Sequence, residues 1–276
     1  MAEERDTLRD WHRLFGLLLT DFFTDTPFDV EIESDLSLQQ QFLDVVIVRR
    51  RTGTSVPPMP DGMEILGDHN LITFKSHRET LDAWAMKELI GHSVAYRKLV
   101  SESPTRLIPE DRVRLFAVSA RFPQKLSTQV PWRTIREGVY DCNWGTDQVR
   151  VVVTGQLATE EQNAVLHLFS PSPLLVEFGR GNYRRHSSST SQLLGLLLNN
   201  WQNEGIAMPF TMQDFEREYI KDKLPQLPEE EQVDVLANVS VKTRLTGVSK
   251  EQLRRYLEEM DSKPTKAMNK PKRKKK

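Results

Sequence analysis

Two residues of this chain place charge where apolar strands would bury it. Asp44 lies within Gln41-Phe-Leu-Asp-Val-Val-Ile-Val-Arg49, and Lys75 ends Asn70-Leu-Ile-Thr-Phe-Lys75. A carboxylate in mid-strand can hold a hard divalent cation such as Mg²⁺, which takes oxygen ligands and keeps several of its waters. An amine beside it can orient or deprotonate a water for attack on phosphorus, while a metal neutralises the developing charge. The bland use of the same pair is a buried ion pair, tolerated when both partners are satisfied. Both uses need the two side chains on one face of adjacent strands.

Both segments are short, rich in β-branched and aromatic residues and bounded by turn signals, which predicts strands buried on two faces. Alternation puts Phe42, Asp44, Val46 and Val48 on one face, and Leu71, Thr73 and Lys75 on one face of the other. In neighbouring strands of suitable register, Asp44 therefore approaches Thr73 and Lys75.

The surrounding pattern predicts the elements that position them. An amphipathic helix is expected over 7–23, with Leu8, Trp11, Leu14, Phe15 and Leu18 on one side, then a short strand over 28–33. Residues 51–67, with Pro57, Pro58, Pro60 and Gly62, read as a loop. A long helix over 79–100 carries the stripe Leu81, Ala85, Leu89, His92, Tyr96 and Leu99, which reads His92 and Tyr96 as core. Strands are expected over 112–119 and 148–154, and helices over 158–169, 189–204, 211–222 and 249–260. Ser249-Lys-Glu-Gln252 is a capping-box pattern opening the last of these. The order predicts an α/β fold, a mixed sheet flanked by helices, over 1–170, with a helical extension over 171–262 and a disordered basic tail over 263–276.

Composition narrows the function. The formal charge of −1 hides an uneven distribution, since the last fourteen residues hold eight Lys or Arg and no acid. Taking those eight from 38 leaves 30 basic against 39 acidic residues, a net of −9 for the remainder. An acidic body argues against general nucleic-acid affinity. The tail could bind nucleic acid through counterion release or act as a solubilising end. The single Cys142 excludes an internal disulfide and cysteine-based zinc sites, and fits a reducing compartment. No apolar run reaches 20 residues and the first residues lack a signal-peptide core, so the expected location is cytoplasmic.

The spacing of Phe42-Leu-Asp-Val-Val-Ile-Val48 and Asn70-Leu-Ile-Thr-Phe-Lys-Ser76 resembles the PD-(D/E)XK nuclease superfamily, whose signature is an Asp on one strand and Glu-x-Lys on the next. The helix 81–97 and the ending Leu245-Thr-Gly-Val-Ser-Lys-Glu-Gln-Leu-Arg-Arg-Tyr-Leu257 are similar to the branch of recombination-promoting, transposase-like nucleases. The resemblance implies a restriction-endonuclease-like fold and Mg²⁺-dependent hydrolysis of DNA phosphodiesters. It makes Asp44 and Lys75 catalytic, and Asp44 with the Phe74 carbonyl the metal ligands. Thr73 stands where the family has Glu. Glu79, Asp82, Glu31, Glu33 and Asp21 are the candidates for a displaced second acid. The loss of that Glu keeps a second class in view, a degenerate nuclease fold serving as a protein- or DNA-interaction module. In that case, exposed helical faces over 189–204 and 211–222 would bind a partner or another copy.

Arg180-Gly-Asn-Tyr-Arg184-Arg185, followed by His186 and hydroxyl residues, reads as a loop that could contact phosphates, or as an ordinary solvated loop. DNA and self-association are the partners considered. His12, His69, His77, His167 and His186 lack metal-ligand spacing and receive no role.

Overall fold

The computed structural model describes residues 2–35, 42–49, 58–103, 105–184, 190–203, 217, 220–221, 224–246 and 248–262. The chain forms two compact units, Met1–Glu216 and Arg217–Lys276.

The first unit is an α/β fold built on a seven-stranded mixed sheet. The strands are β1 (Phe28–Asp35), β2 (Phe42–Arg49), β3 (His69–Lys75), β4 (Val113–Ser119), β5 (Trp132–Arg136), β6 (Val139–Trp144) and β7 (Asp147–Val153). Their spatial order is β1-β2-β3-β4-β7-β6-β5. β1, β2 and β3 are antiparallel in succession, β3 runs parallel to β4 and β4 parallel to β7, and β7-β6-β5 is again antiparallel.

Parallel neighbours need a crossover, and α2 (Ala83–Val100) supplies it between β3 and β4. Asp82 starts α2 by accepting hydrogen bonds from the Trp84 and Ala85 N–H groups, which the first turn would otherwise leave unsatisfied.

The sheet is buried on both faces, as apolar runs without polar alternation require. On one face Val45, Ile47, Ile72, Phe74, Phe116, Val118 and Val152 pack against α1 (Ala2–Phe22), α4 (Ala164–His167) and α6 (Thr190–Asn203). On the other, Val46, Val48, Leu71, Leu115, Ala117, Val149, Val151 and Val153 pack against α2 and α3 (Gln124–Ser127). Burying each such side chain contributes roughly 1.5–3 kcal/mol, so both flanking layers are held to the sheet by the hydrophobic effect.

α1 carries Phe15, Leu18 and Leu19, all fully buried, at helical spacing. Phe15 stacks on Phe74 of β3 with ring centroids 4.4 Å apart. This contact fixes α1 over the end of β3.

Several expected elements differ from those found. The helix expected over 158–169 is only a 3-10 turn at Glu161–Asn163 followed by the single turn of α4. The Asn163 side chain accepts from the Asp61 N–H and donates to Asp61 and to the Ala158 carbonyl, so it ties the segment to the 58–68 loop. Arg180 lies not in a loop but on the last turn of α5 (Pro173–Asn182), whose Pro173 stands at the first helical position, where its missing N–H costs nothing.

The β5–β6 hairpin went unexpected. The apolar stripe of α6 is not an exposed docking face, because Leu194, Leu197 and Trp201 are buried, with Trp201 edge-on to Trp11 at 4.5 Å. The helix expected over 211–222 and the tail 263–276 lie outside the described residues, apart from Arg217, Ile220 and Lys221.

The second unit contains α7 (Glu229–Ala237), α8 (Val241–Arg244) and α9 (Lys250–Ser262). Ser249 and Gln252 form the expected capping box, with the Gln252 amide oxygen accepting from the Ser249 N–H and the Ser249 hydroxyl from the Gln252 N–H. No residue of α7 or α8 is buried, and Val233, Val241, Tyr256 and Leu257 are each more than half exposed. Among the described residues no helix is long and apolar enough to cross a membrane.

Candidate functional site

Asp44 and Lys75 lie where β2 and β3 part, and Lys75 acts on Asp44 through its charge. The ladder pairs Val45 with Ile72 and Val46 with Leu71, and there it ends. One residue further, the Asp44 side chain replaces the missing backbone partner. Its Oδ2 accepts from the Phe74 N–H at 2.8 Å and from the Thr73 hydroxyl at 3.0 Å. Thr73 thus does what a Glu could not, since a second carboxylate at this position would face the first without a proton to offer.

The other Asp44 oxygen, Oδ1, lies 2.6 Å from Nδ1 of His12 on α1. The second ring nitrogen, Nε2, lies 2.8 Å from Oε2 of Glu79 in the β3–α2 connection. Glu79 is also fixed by the Ser76 N–H and hydroxyl, at 3.1 and 2.9 Å, and its Oε1 lies 3.6 Å from the Lys75 ammonium. The side chains of His12, Asp44, Lys75 and Glu79 are only 15 to 18 % exposed. An acid, an imidazole, an acid and an amine therefore form one continuous cluster linking α1, β2, β3 and the approach to α2.

A ring nitrogen facing an ionised carboxylate must donate, and here both nitrogens face one, so His12 is an imidazolium. Burial alone would push its pKa down, but the charges and hydrogen bonds of Asp44 and Glu79 outweigh it and hold the group at about 9. Asp44 is lowered: burial opposes ionisation, but the His12 charge and hydrogen bond, the Lys75 charge and the Phe74 N–H prevail. Glu79 is lowered against the same burial by His12, Lys75 and the Ser76 N–H. On α2 beside the cluster, His92 is lowered chiefly by burial, and it feels the charges of Glu88, Asp44 and Lys75.

Of the candidates for a second acid whose side chains are described, Glu79 joins the cluster. Asp21 accepts from the Tyr183 hydroxyl at 2.6 Å, nine residues and roughly 13 Å along α1 from His12. Asp82 is spent on the α2 cap. Glu31 lies in β1 opposite Val46, and the side chain of Glu33 is outside the described residues.

Phe74 brings its backbone N–H to Asp44, and its ring is buried against Phe15. Arg180 pairs with Glu177 on its own helix at 2.8 Å. Arg184 is exposed, 4.0 Å from Glu161, and Arg185 lies outside the described residues. Arg180 and Arg184 thus pair with Glu177 and Glu161, neither of which belongs to the Asp44 cluster.

The arrangement does not fit a divalent cation. Both Asp44 oxygens accept strong hydrogen bonds, and a positive imidazolium stands between the two carboxylates. The cluster is already neutral, with two acids against two cations. Among the described residues, no group of three or more His, Cys, Asp and Glu is disposed to hold a metal ion.

His12 had no spacing signal toward Asp44, from which 32 residues separate it. A helical signal was present, because His12, Phe15 and Leu19 fall on one face of α1 at i, i+3 and i+7. Comparison of the chain with family models, with curated proteins and with solved structures finds no match.

Proposed function

We propose that the chain is a nuclease-type α/β module whose hydrolytic centre is closed by internal ion pairs, and that it works in the cytoplasm as a protein-binding module. The observation that carries this reading is the engagement of Asp44. One oxygen pairs with His12, and the other accepts from Thr73 and Phe74. Three of the roughly four lone-pair sites of the carboxylate are thereby taken up by the chain's own donors.

The restriction-endonuclease-like assignment is supported by the order helix, three antiparallel strands, crossover helix and parallel strand, with Asp44 and Lys75 at one end of it. The acidic body disfavours nucleic acid as the principal partner. The exposed apolar residues of α7–α9 offer surface for another protein.

A second reading is Mg²⁺-dependent hydrolysis of DNA phosphodiesters. It is favoured by the convergence of Asp44, Glu79 and Lys75, the three residue types such chemistry employs.

Supercoiled plasmid incubated with the purified full chain and Mg²⁺ separates the two. The proposal predicts no nicking by the wild type, and the same result for Asp44→Ala and Lys75→Ala. Mg²⁺-dependent nicking by the wild type that both substitutions abolish would establish the hydrolytic reading instead.

A further inference from the structure

His12 holds a position that carboxylate pairs commonly give to a metal. It touches one oxygen of Asp44 and one of Glu79, at 2.6 and 2.8 Å, and so links two acids that are 35 residues apart in the chain. Each of these acids is backed on its remaining side by neutral donors, Thr73 and the Phe74 N–H for Asp44, and Ser76 for Glu79. Two carboxylates brought this close with restricted solvent repel each other unless a cation lies between them. The ring supplies one positive charge and two opposed donors there, and Lys75 supplies the second charge from the Glu79 side.

We propose that His12 is a built-in counter-cation that takes the place of a divalent metal, joins α1 to the end of the sheet, and keeps the Asp44–Glu79 pair closed to Mg²⁺ and Mn²⁺. The inference rests on reading this end of the sheet as a closed nuclease-type centre. It adds the residue that closes it. A divalent ion entering with His12 in place would turn a neutral cluster into one of charge +2, so the ion must first displace the ring. Removing the ring leaves two acids facing a single lysine, a net charge of −1 that favours cation uptake.

The test is Mn²⁺ binding, read from the electron paramagnetic resonance signal of free Mn²⁺ titrated with the full chain. For the wild type the expected result is no loss of free Mn²⁺ at micromolar concentrations. For folded His12→Ala it is uptake of one Mn²⁺, weakened at least tenfold by adding Asp44→Asn. Where circular dichroism shows His12→Ala unfolded, His12→Gln, which keeps a donor without the charge, is read in the same way. Wild-type uptake of one Mn²⁺ that Asp44→Asn removes would overturn the inference, as would a folded His12 variant that binds no more than wild type.

The functional reading fails separately. Wild-type Mn²⁺ uptake without plasmid nicking counts against His12 alone. Wild-type nicking that Asp44→Ala and Lys75→Ala both abolish counts against the non-hydrolytic reading.

Discussion

The Nδ1 of His12 lies 2.6 Å from Oδ1 of Asp44, which places a helix residue and a strand residue in one ion pair at the end of the sheet. Because the same ring reaches Glu79, its charge state governs how α1 is held, and this has a consequence for stability as pH changes.

Folding raises the His12 pKa from 6.5 to about 9. A group raised on folding contributes stability that is complete below its unfolded pKa and disappears as pH rises through its folded one. Stability against thermal unfolding should therefore fall between about pH 6.5 and pH 9, by on the order of 3 kcal/mol at most. His12→Gln should flatten that limb. Asp44 and Glu79 are lowered, so their contributions are present above the ordinary carboxylate range and are lost as pH falls through their folded values. Calorimetric melts across this range check both limbs.

Thr73→Val keeps the shape of a buried β-branched residue but removes the hydroxyl that donates to Asp44 Oδ2 at 3.0 Å. The Phe74 N–H remains, so the cost should be about 1–3 kcal/mol, measured by urea unfolding. No change would mean that the hydroxyl is dispensable to the site. Thr73→Glu should cost more, because it sets a third acid against a neutralised cluster.

The strands that bear the pair were legible in the sequence because they are apolar on both faces. Val45 and Ile47 do turn to one layer while Val46 and Val48 turn to the other, as alternation requires. The coincidence of Asp44, Thr73 and Lys75 on one face was legible for the same reason. His12 was not, because an ion pair across 32 residues leaves no local pattern.

β7 was legible as the expected strand over 148–154, but β5 and β6 beside it were missed although their turns are marked. Gly138 and Gly145 adopt φ of 72° and 64°, in the left-handed region where a side chain is strained. At Gly138 a Cβ would also lie 2.7 Å from the Leu157 nitrogen. The polar strand Val-Tyr-Asp-Cys-Asn-Trp over 139–144 masked the signal, since Asp141 is buried by pairing with Arg133 and Arg150 rather than by apolar character. The stripe of α6 was visible, but what it packs against was not.

Trp201 is fully buried and meets Trp11 at 4.5 Å, so α6 is part of the first unit's core. Trp201→Ala should destabilise that unit by about 3–5 kcal/mol. Because Trp11 adjoins His12, the loss should also loosen α1. Hydrogen exchange of α1 amides reports this directly: faster exchange throughout α1 is expected, and unchanged protection would place α6 outside the core.

The account depends on His12 carrying two protons at neutral pH. Nitrogen-resolved NMR of the His12 ring in the wild-type protein at pH 7.5 measures this. The prediction is two protonated ring nitrogens, each with a slowly exchanging hydrogen-bonded proton, both lost to the neutral ring pattern in Asp44→Asn/Glu79→Gln. A neutral ring with a single N–H in the wild type would contradict the account.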